Sequence, residues 1–273
     1  MIVFPRAKIN LGLRIIARRN DGYHDIETIF YPAGLCDALE FVPQARQSDG
    51  DTLAVTGIPV GVGQGDNIVM KALGVLRARF SFPALRIHLH KAIPHGAGLG
   101  GGSSDAACFM KSVAKHFSLP VTLEELYGLS LVAGSDCPFF ISGEPSYATG
   151  RGEILSPAGK FLAGYYLVLL NPGVGISTGE AYRNCTPSRH PDTLTALTRL
   201  PVDRWKDHIK NDFEAYAFSV HPVIGTLKEE LYRAGALFSL MSGSGSSVYG
   251  IFSAKPGRLP GNVRSRLIWE GSL

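Results

Sequence analysis

The sequence is poor in cysteine, with four in 273 residues, and no two of them form a C-x-x-C pair. Zinc ribbons and thioredoxin-type redox motifs need such pairs, and small disulfide-stapled secreted domains need a denser set of cysteines. All three classes are therefore disfavoured. The four thiols, Cys36, Cys108, Cys137 and Cys185, are predicted to be reduced, as in a cytoplasmic protein.

Long hydrophobic runs are also lacking. The densest apolar stretch, YYLVLL at 165–170, is far shorter than the roughly 20 residues that a membrane-spanning helix needs. The opening residues, MIVFPRAKIN, do not contain the long apolar segment that is typical of a signal peptide. We therefore expect a cytoplasmic protein with no membrane partner.

Charge of either sign is modest, since 27 basic and 23 acidic residues give a formal net charge of +4. These charges are scattered, so no patch for nucleic acid or a membrane surface is predicted, although the balance suits an anionic small molecule. The chain is 45% hydrophobic, which is typical of globular proteins. Its length predicts one large domain or two halves.

Residue patterns predict the elements of the first hundred residues. The first three are a strand over 7–16, a polar turn over 18–25, and a hairpin with a connecting loop within 48–67. A helix should follow Asn67, a suitable N-cap, because Val69, Leu73 and Leu76 recur at helical spacing. Strict alternation predicts a strand over 85–91.

The rest of the chain continues the mixture of helices and strands. The expected elements are a serine-capped helix from Ser103 to Phe117, a helix over 121–134 that ends at Gly134, a turn over 134–140, and a strand over 165–170. Residues 228–252 predict a helix, a strand, a tight Gly/Ser turn and another strand. The pattern is that of an α+β protein whose second half begins after about residue 160.

The stretch PHGAGLGGGSSDAA at 94–107 is the most informative part of the sequence. Gly96, Gly98 and Gly101 match the dinucleotide-binding pattern G-x-G-x-x-G, but the residues KAIP separate the loop from the preceding strand, and no acidic residue follows at the expected distance. A Walker A loop is disfavoured because no lysine lies in this stretch. A structural glycine turn is one reading. The other is a phosphate site, because converging backbone N–H groups and a helix N-terminus attract anions.

Four further segments resemble those of the galactokinase, homoserine kinase, mevalonate kinase and phosphomevalonate kinase superfamily. These segments are AKINLGL at 7–13, RRNDGYHDIET at 18–28, GSDCPFF at 134–140 and MSGSGSSVYGIF at 241–252, and the resemblance extends over nearly the whole chain. The DGYH tetrapeptide is the most specific, and is similar to the branch whose substrate is a cytidine-diphosphate methylerythritol. The resemblance implies an α+β fold with two domains, over 1–155 and 156–273, and an active site in the cleft between them.

The same resemblance implies that the γ-phosphate of ATP, with Mg²⁺, is transferred to the 2-hydroxyl of this substrate. Asp136 would accept the hydroxyl proton, and Lys8 would orient Asp136 and offset negative charge; otherwise they are an Asx-turn residue and a solvated strand residue. The ATP phosphates would be bound by Pro94, Gly96, Gly98, Leu99, Gly100, Gly101, Gly102, Ser103 and Ser104. Asp105 stands where Asn is frequent, and Arg6, His95 and Ala97 are smaller departures.

Substrate contacts are implied for four residues. Asn10 would bind the polyol, while Tyr23, His24 and Tyr182 would bind the pyrimidine, with core packing or a surface position the alternative for Tyr182. Asn67 falls on the adenine side in the family, but helix capping explains it equally well.

Two other functions stay open at this point. The first is a superfamily kinase for another alcohol such as homoserine, and the second is a non-catalytic nucleotide-binding relative. The metal ligands are not assigned, because His88 and His90 are better explained as the polar face of a strand than as a metal pair.

Overall fold

Strands and helices alternate along the computed structural model, which describes residues 1–46, 49–61, 63–188 and 190–273. The strands are β1 (Ile2–Val3), β2 (Arg6–Arg18), β3 (His24–Cys36), β4 (Ala38–Pro43), β5 (Thr52–Gly57), β6 (Leu85–Lys91), β7 (Ser146–Thr149), β8 (Ile154–Pro157), β9 (Tyr166–Leu170), β10 (Phe238–Met241), β11 (Val248–Phe252) and β12 (Leu267–Ser272). The helices are α1 (Ile68–Arg77), α2 (Gly101–His116), α3 (Leu123–Ala133), α4 (Cys137–Ser142), α5 (Thr178–Arg183), α6 (Leu194–Leu197), α7 (Trp205–His208), α8 (Glu214–Val220), α9 (Pro222–Arg233) and α10 (Gly261–Arg264). The α+β class predicted from the sequence is confirmed.

The chain divides into two units, each made of several segments. Unit 1 comprises Met1–Ala7, Leu35–His95 and Gly100–Gly143. Unit 2 comprises Lys8–Gly34, Gly96–Leu99 and Glu144–Leu273. The domain boundary between residues 155 and 156 stays a prediction.

Unit 1 is a four-stranded sheet with helices α1 to α4. The strand order is β1-β4-β6-β5, in which β4 runs antiparallel and β5 parallel to β6. Strand β6 buries Leu85, Ile87 and Leu89 and exposes the residues between them, as the alternation predicts. The rings of Phe41 on β4 and Phe109 on α2 lie 5.8 Å apart edge to face, so this sheet and helix share one core.

Unit 2 contains two four-stranded sheets, ordered β2-β3-β7-β8 and β10-β11-β9-β12. Strand β9 pairs antiparallel with both β11 and β12. Because the β9 residues Leu167 to Leu170 are fully buried, the run YYLVLL is the core strand that its composition predicts.

Local signals located several elements correctly. Helix α1 begins after Asn67, whose side chain accepts a hydrogen bond from the Val69 N–H at 2.9 Å. Helix α3 is capped by Thr122 and Glu125, each of which bonds the backbone of the other, and it ends at Gly134 as predicted. The 228–252 segment forms the end of α9, then β10, a turn and β11.

Two predicted elements are wrong. The hairpin within 48–67 is replaced, among the described residues of that segment, by the single strand β5, which pairs in parallel with β6 about thirty residues later; residues 48 and 62 lie outside the described residues. The turn over 134–140 becomes helix α4 from Cys137, with Pro138 in its first turn, where a missing N–H is tolerated. None of the helices in the described chain has both the length and the apolar composition that crossing a membrane requires.

Candidate active site

The N-terminus of α2, in unit 1, is formed by glycine rather than serine. Gly100 caps the helix in the left-handed conformation, at φ +69°, and the first intrahelical bond runs from the Ser104 N–H to the Gly100 carbonyl at 2.9 Å. The predicted serine cap is therefore wrong, and Ser103 and Ser104 both lie in the first turn. The N–H groups of Gly101, Gly102 and Ser103 precede that first bond and carry the positive end of a 16-residue helix. This end fits a phosphate group.

Glycine at 101 is required by a close approach. A Cβ there would lie 2.8 Å from Ile93 Cγ2 and 3.3 Å from Lys91 Nζ. Pro94, which follows Ile93, is half-buried. The start of α2 is thus packed tightly against the segment that follows β6.

Gly96 to Leu99 belong to unit 2, where they pack on the Gly/Ser turn between β10 and β11. The Ser247 N–H donates to the Ala97 carbonyl at 3.1 Å, and the Ser242 hydroxyl donates to the Gly98 carbonyl at 2.8 Å. Gly98 has φ +77°, and a Cβ there would lie only 1.9 Å from the Ser242 carbonyl oxygen. The glycine motif at 241–252 therefore shapes the glycine motif at 94–107.

Lys8 and Asn10 point the same way from β2 and contact each other. Lys8 Nζ donates to Asn10 Oδ1 at 2.6 Å and to the Gly98 carbonyl at 3.0 Å, and its side chain is buried. The Lys8 N–H also donates to the carbonyl of Leu99, whose side chain is buried. The interpretation of Lys8 as a solvated strand residue is wrong, because a buried ammonium must be held by acceptors.

His24 and Tyr182 are brought together in unit 2. Their rings are stacked with centroids 4.8 Å apart, and Tyr182 also packs edge to face on Phe213 at 4.9 Å. His24 is buried, and its Nε2 has no hydrogen-bond partner among the residues that the structure describes. Burial, helped by the charge of Arg18, lowers the pKa of His24 below 6.5. A neutral imidazole with one unpartnered nitrogen can accept or donate one hydrogen bond to a ligand.

Tyr23 lies differently from His24. It is 52% exposed, and the guanidinium of Arg151 lies 4.7 Å from the centre of its ring. One face of the ring therefore rests on Arg151.

Asp136 is half-buried in unit 1, at the N-cap position of α4, with no side-chain capping bond. Its turn lies beside α2, because a Cβ on Gly134 would be 3.3 Å from Cys137 Sγ and 3.6 Å from Ser103 Oγ. Burial, assisted by the Asp136 charge, raises the pKa of Cys137 to about 12, so this thiol stays protonated at neutral pH. The GSDCPFF motif and the serines of α2 are thus neighbours.

A buried charge cluster in unit 1 has no counterpart in the sequence analysis. Lys91 Nζ contacts Asp37, and it donates to Asp105 Oδ2 at 2.6 Å. All three side chains are at most 3% exposed. Asp37 and Asp105 lie 54 and 14 residues from Lys91 in the sequence, so no local pattern predicts the cluster. The sequence indicated only that Asp105 stands where Asn is frequent.

Two family models match the chain: "GHMP kinases N terminal domain" over 67–144 and "GHMP kinases C terminal" over 194–267. A protein of Parabacteroides distasonis named 4-diphosphocytidyl-2-C-methyl-D-erythritol kinase is 48% identical, with 100% of both chains aligned. The chain belongs to the GHMP kinase family. A similarly named relative from Porphyromonas gingivalis shares 47% identity with this GHMP kinase, over 94% of this chain and 93% of its own.

Solved structures agree with the family. A crystal structure of 4-(cytidine 5'-diphospho)-2C-methyl-D-erythritol kinase matches this GHMP kinase with a TM-score of 0.76 and 32% identity, covering 92% of this chain and 90% of its own. A homoserine kinase from Cytophaga hutchinsonii has a TM-score of 0.63 at 15% identity, covering 92% and 86%, and this shows the shared fold alone. The superfamily membership and α+β fold expected from the sequence are confirmed.

The GHMP kinase family uses ATP, and the helix N-terminus at Gly100 fits its phosphates. In the described ranges, no three His, Cys, Asp or Glu side chains cluster to hold a metal ion. The hydroxyls of Ser103 and Ser104 are the first-turn side-chain oxygens of α2 that could contact a cation bound to phosphate. Asn67 is a helix cap in the structure, and its role beside adenine stays a prediction.

Proposed function

We propose that this GHMP kinase transfers the γ-phosphate of ATP to the 2-hydroxyl of 4-diphosphocytidyl-2-C-methyl-D-erythritol, a step of non-mevalonate isoprenoid synthesis. The observation that carries the proposal is the 48% identity over the full length of a relative with this name. Likeness to homoserine kinase is limited to the fold, at 15% identity, so that alternative is not favoured.

In the proposed reaction the substrate oxygen forms a bond to the γ-phosphorus while the bond to the β–γ bridging oxygen breaks, releasing ADP. The hydroxyl proton passes to the Asp136 carboxylate. Lys8 offsets the negative charge on the transferred group, and Asn10 binds the polyol. The backbone of the loop from Pro94 to Ser104 binds the phosphates.

Mg²⁺ is proposed as the partner of ATP, held by phosphate oxygens and the hydroxyls of Ser103 and Ser104. When bound, it neutralises charge on the phosphates. Tyr23, His24 and Tyr182 are proposed to bind the cytosine ring. The buried Nε2 of His24 supports this role, because a pyrimidine edge could supply the hydrogen bond that it lacks among the described residues. We also propose a cytoplasmic location.

The test is incubation of the purified protein with ATP and Mg²⁺ and, in separate reactions, the cytidine-diphosphate substrate, homoserine and mevalonate. Mass spectrometry should detect a monophosphorylated product only with the cytidine-diphosphate substrate. Product from homoserine alone would move the assignment to the amino-alcohol kinases, and ATP binding without any product would support a non-catalytic relative.

A further inference from the structure

Thr28 on β3 is buried beside the Lys8 and Asn10 pair and has no role in the proposed reaction so far. Its side chain is fully buried, and Asn10 Nδ2 donates to its hydroxyl at 2.9 Å. The Thr28 hydroxyl in turn donates to the carbonyl of Gly12 at 2.6 Å. All of these groups belong to unit 2.

This arrangement fixes which way the Asn10 amide faces. A hydroxyl has one proton, and the short bond to Gly12 uses it, so toward Asn10 the Thr28 oxygen can only accept. Asn10 must then present its NH₂ group to Thr28 and its Oδ1 to the other side. On that other side is Lys8 Nζ, 2.6 Å from Oδ1.

The opposite orientation of the amide would place two donors against each other. Lys8 Nζ carries only donors, and at 2.6 Å an NH₂ group in place of Oδ1 would repel it. The Asn10 backbone does not resolve this, because its N–H is already bound to Ser242 Oγ at 3.2 Å and its carbonyl accepts from the Tyr249 hydroxyl at 2.8 Å. The Thr28 hydroxyl and the Lys8 ammonium therefore favour the same amide orientation, in which Oδ1 faces Lys8 and the NH₂ group faces Thr28.

We propose that Thr28 is a positioning residue for phosphoryl transfer, which holds the Asn10 amide so that Oδ1 orients the Lys8 ammonium. This inference rests on the proposed function, in which Lys8 stabilises the transferred group. The Lys8 ammonium is then held by Asn10 at one donor and by the Gly98 carbonyl at another, at 3.0 Å. Two fixed bonds define its direction better than one.

The matched pair of variants is Thr28→Val and Thr28→Ser. Valine keeps the shape of threonine and removes the hydroxyl, whereas serine keeps the hydroxyl and removes the methyl. Thr28→Val should lower kcat by roughly tenfold to a hundredfold with KM for ATP within about twofold, because misplaced catalytic groups cost rate more than binding. Thr28→Ser should keep about a third or more of the wild-type kcat, a rescue that a packing role of the methyl group would not give.

A second measurement needs no substrate. Reductive methylation of lysines, followed by peptide mass spectrometry, reports how firmly the Lys8 amine is held. Thr28→Val should raise the Lys8 labelling rate by roughly fivefold, the factor expected for loss of one hydrogen bond, and Thr28→Ser should not. If Thr28→Val does not fold, Thr28→Ala removes the same hydroxyl without requiring a methyl to fit, and carries the same expectations.

The two measurements separate this inference from the proposed function. A wild-type protein that does not phosphorylate the cytidine-diphosphate substrate would refute the proposed function, while the Lys8 labelling would still decide whether Thr28 holds the pair. A folded Thr28→Val protein with wild-type kcat, or with a wild-type rate of Lys8 labelling, would overturn the role of Thr28.

Discussion

Asp105 competes with Asp37 for one ammonium group. Both carboxylates contact Lys91 Nζ, at 2.6 Å for Asp105, and Asp37 Oδ1 also accepts from the Ala92 and Ile93 N–H groups at 2.6 and 2.8 Å. Burial raises the pKa of Asp105 well above 3.8, Lys91 opposes the shift, and Asp37 adds to it. The second oxygen of Asp105 is buried and has no hydrogen-bond partner in the described part of the chain. The surroundings of Asp105 therefore disfavour its charged form, although Lys91 partly offsets this effect.

Replacing Asp105 should change how stability depends on pH. A folded-state pKa above the unfolded value gives stability that is fully present below about pH 4 and is lost as pH rises through the folded pKa. Asp105→Asn removes this titration and keeps an oxygen for Lys91. We expect urea unfolding from pH 4.5 to 8 to show a flatter profile, with equal or greater stability at the upper end.

Asp37→Asn is the matched comparison for that variant. Its NH₂ group would oppose the Lys91 ammonium, so the free energy of unfolding should fall by about 2 kcal/mol or more. Equal pH profiles for wild type and Asp105→Asn would show that Asp105 does not titrate in this range.

Gly98 and Gly96 differ in what an alanine side chain would meet. Both have positive φ, +77° and +62°, but a Cβ on Gly96 has no atom within 4 Å, whereas one on Gly98 would be 1.9 Å from the Ser242 carbonyl oxygen. Gly96→Ala should cost only the backbone strain, about 1 to 2 kcal/mol. Gly98→Ala should cost about 3 kcal/mol or more, because the Gly/Ser turn must move. Thermal unfolding of both variants measures the difference in stability. Equal losses of stability would show that the Gly/Ser turn can move away from an alanine at position 98 without a further loss of free energy.

Asp136→Asn tests the proposed base. It keeps the shape of the side chain and removes the proton acceptor, so kcat should fall by about a hundredfold or more while ATP affinity, measured by calorimetry, changes little. Asp203→Asn, at an exposed position outside the proposed site, is the control and should have wild-type kcat. A similar kcat for both variants would show that Asp136 is not the base. Catalysis would then depend on charge stabilisation and positioning.

Tyr23→Ala tests the pyrimidine site. At 52% exposure this tyrosine contributes little to the core, so the variant should fold normally. Affinity for the cytidine-diphosphate substrate should fall by about five- to a hundredfold, the range expected for a lost stacking contact, with ATP affinity unchanged. Tyr23→Phe keeps the ring and should retain most of the substrate affinity. Equal loss of both ligands, or loss of neither, would contradict the role of Tyr23.

The elements that the sequence predicted best are those with signals inside the element. Asn67 and Gly134 mark helix ends by their own chemistry, and the alternation in 85–91 predicts a strand without knowledge of its partner. The hairpin prediction failed because β5 pairs with β6, far along the chain, and nothing within 48–67 records that choice. The serine cap failed because Gly100 begins the helix earlier.

The candidate site shows the same limit. The residues of the motifs were predicted, and Lys8 with Asn10 and His24 with Tyr182 are in contact. The partners that set their direction were missed. In the sequence Thr28 is an ordinary strand residue. Its effect on Asn10 is visible only in the structure, where its hydroxyl proton is donated to the Gly12 carbonyl.

The bond between the Ser242 hydroxyl and the Gly98 carbonyl joins residues 144 positions apart in the chain. During translation the glycine loop leaves the ribosome long before this serine exists. At common rates of synthesis the interval is roughly 7 to 30 s. The loop therefore spends that time without the turn that shapes Gly98 and holds the Lys8 acceptor in place. The glycine loop therefore reaches its final conformation only after the C-terminal part of the chain has been synthesised.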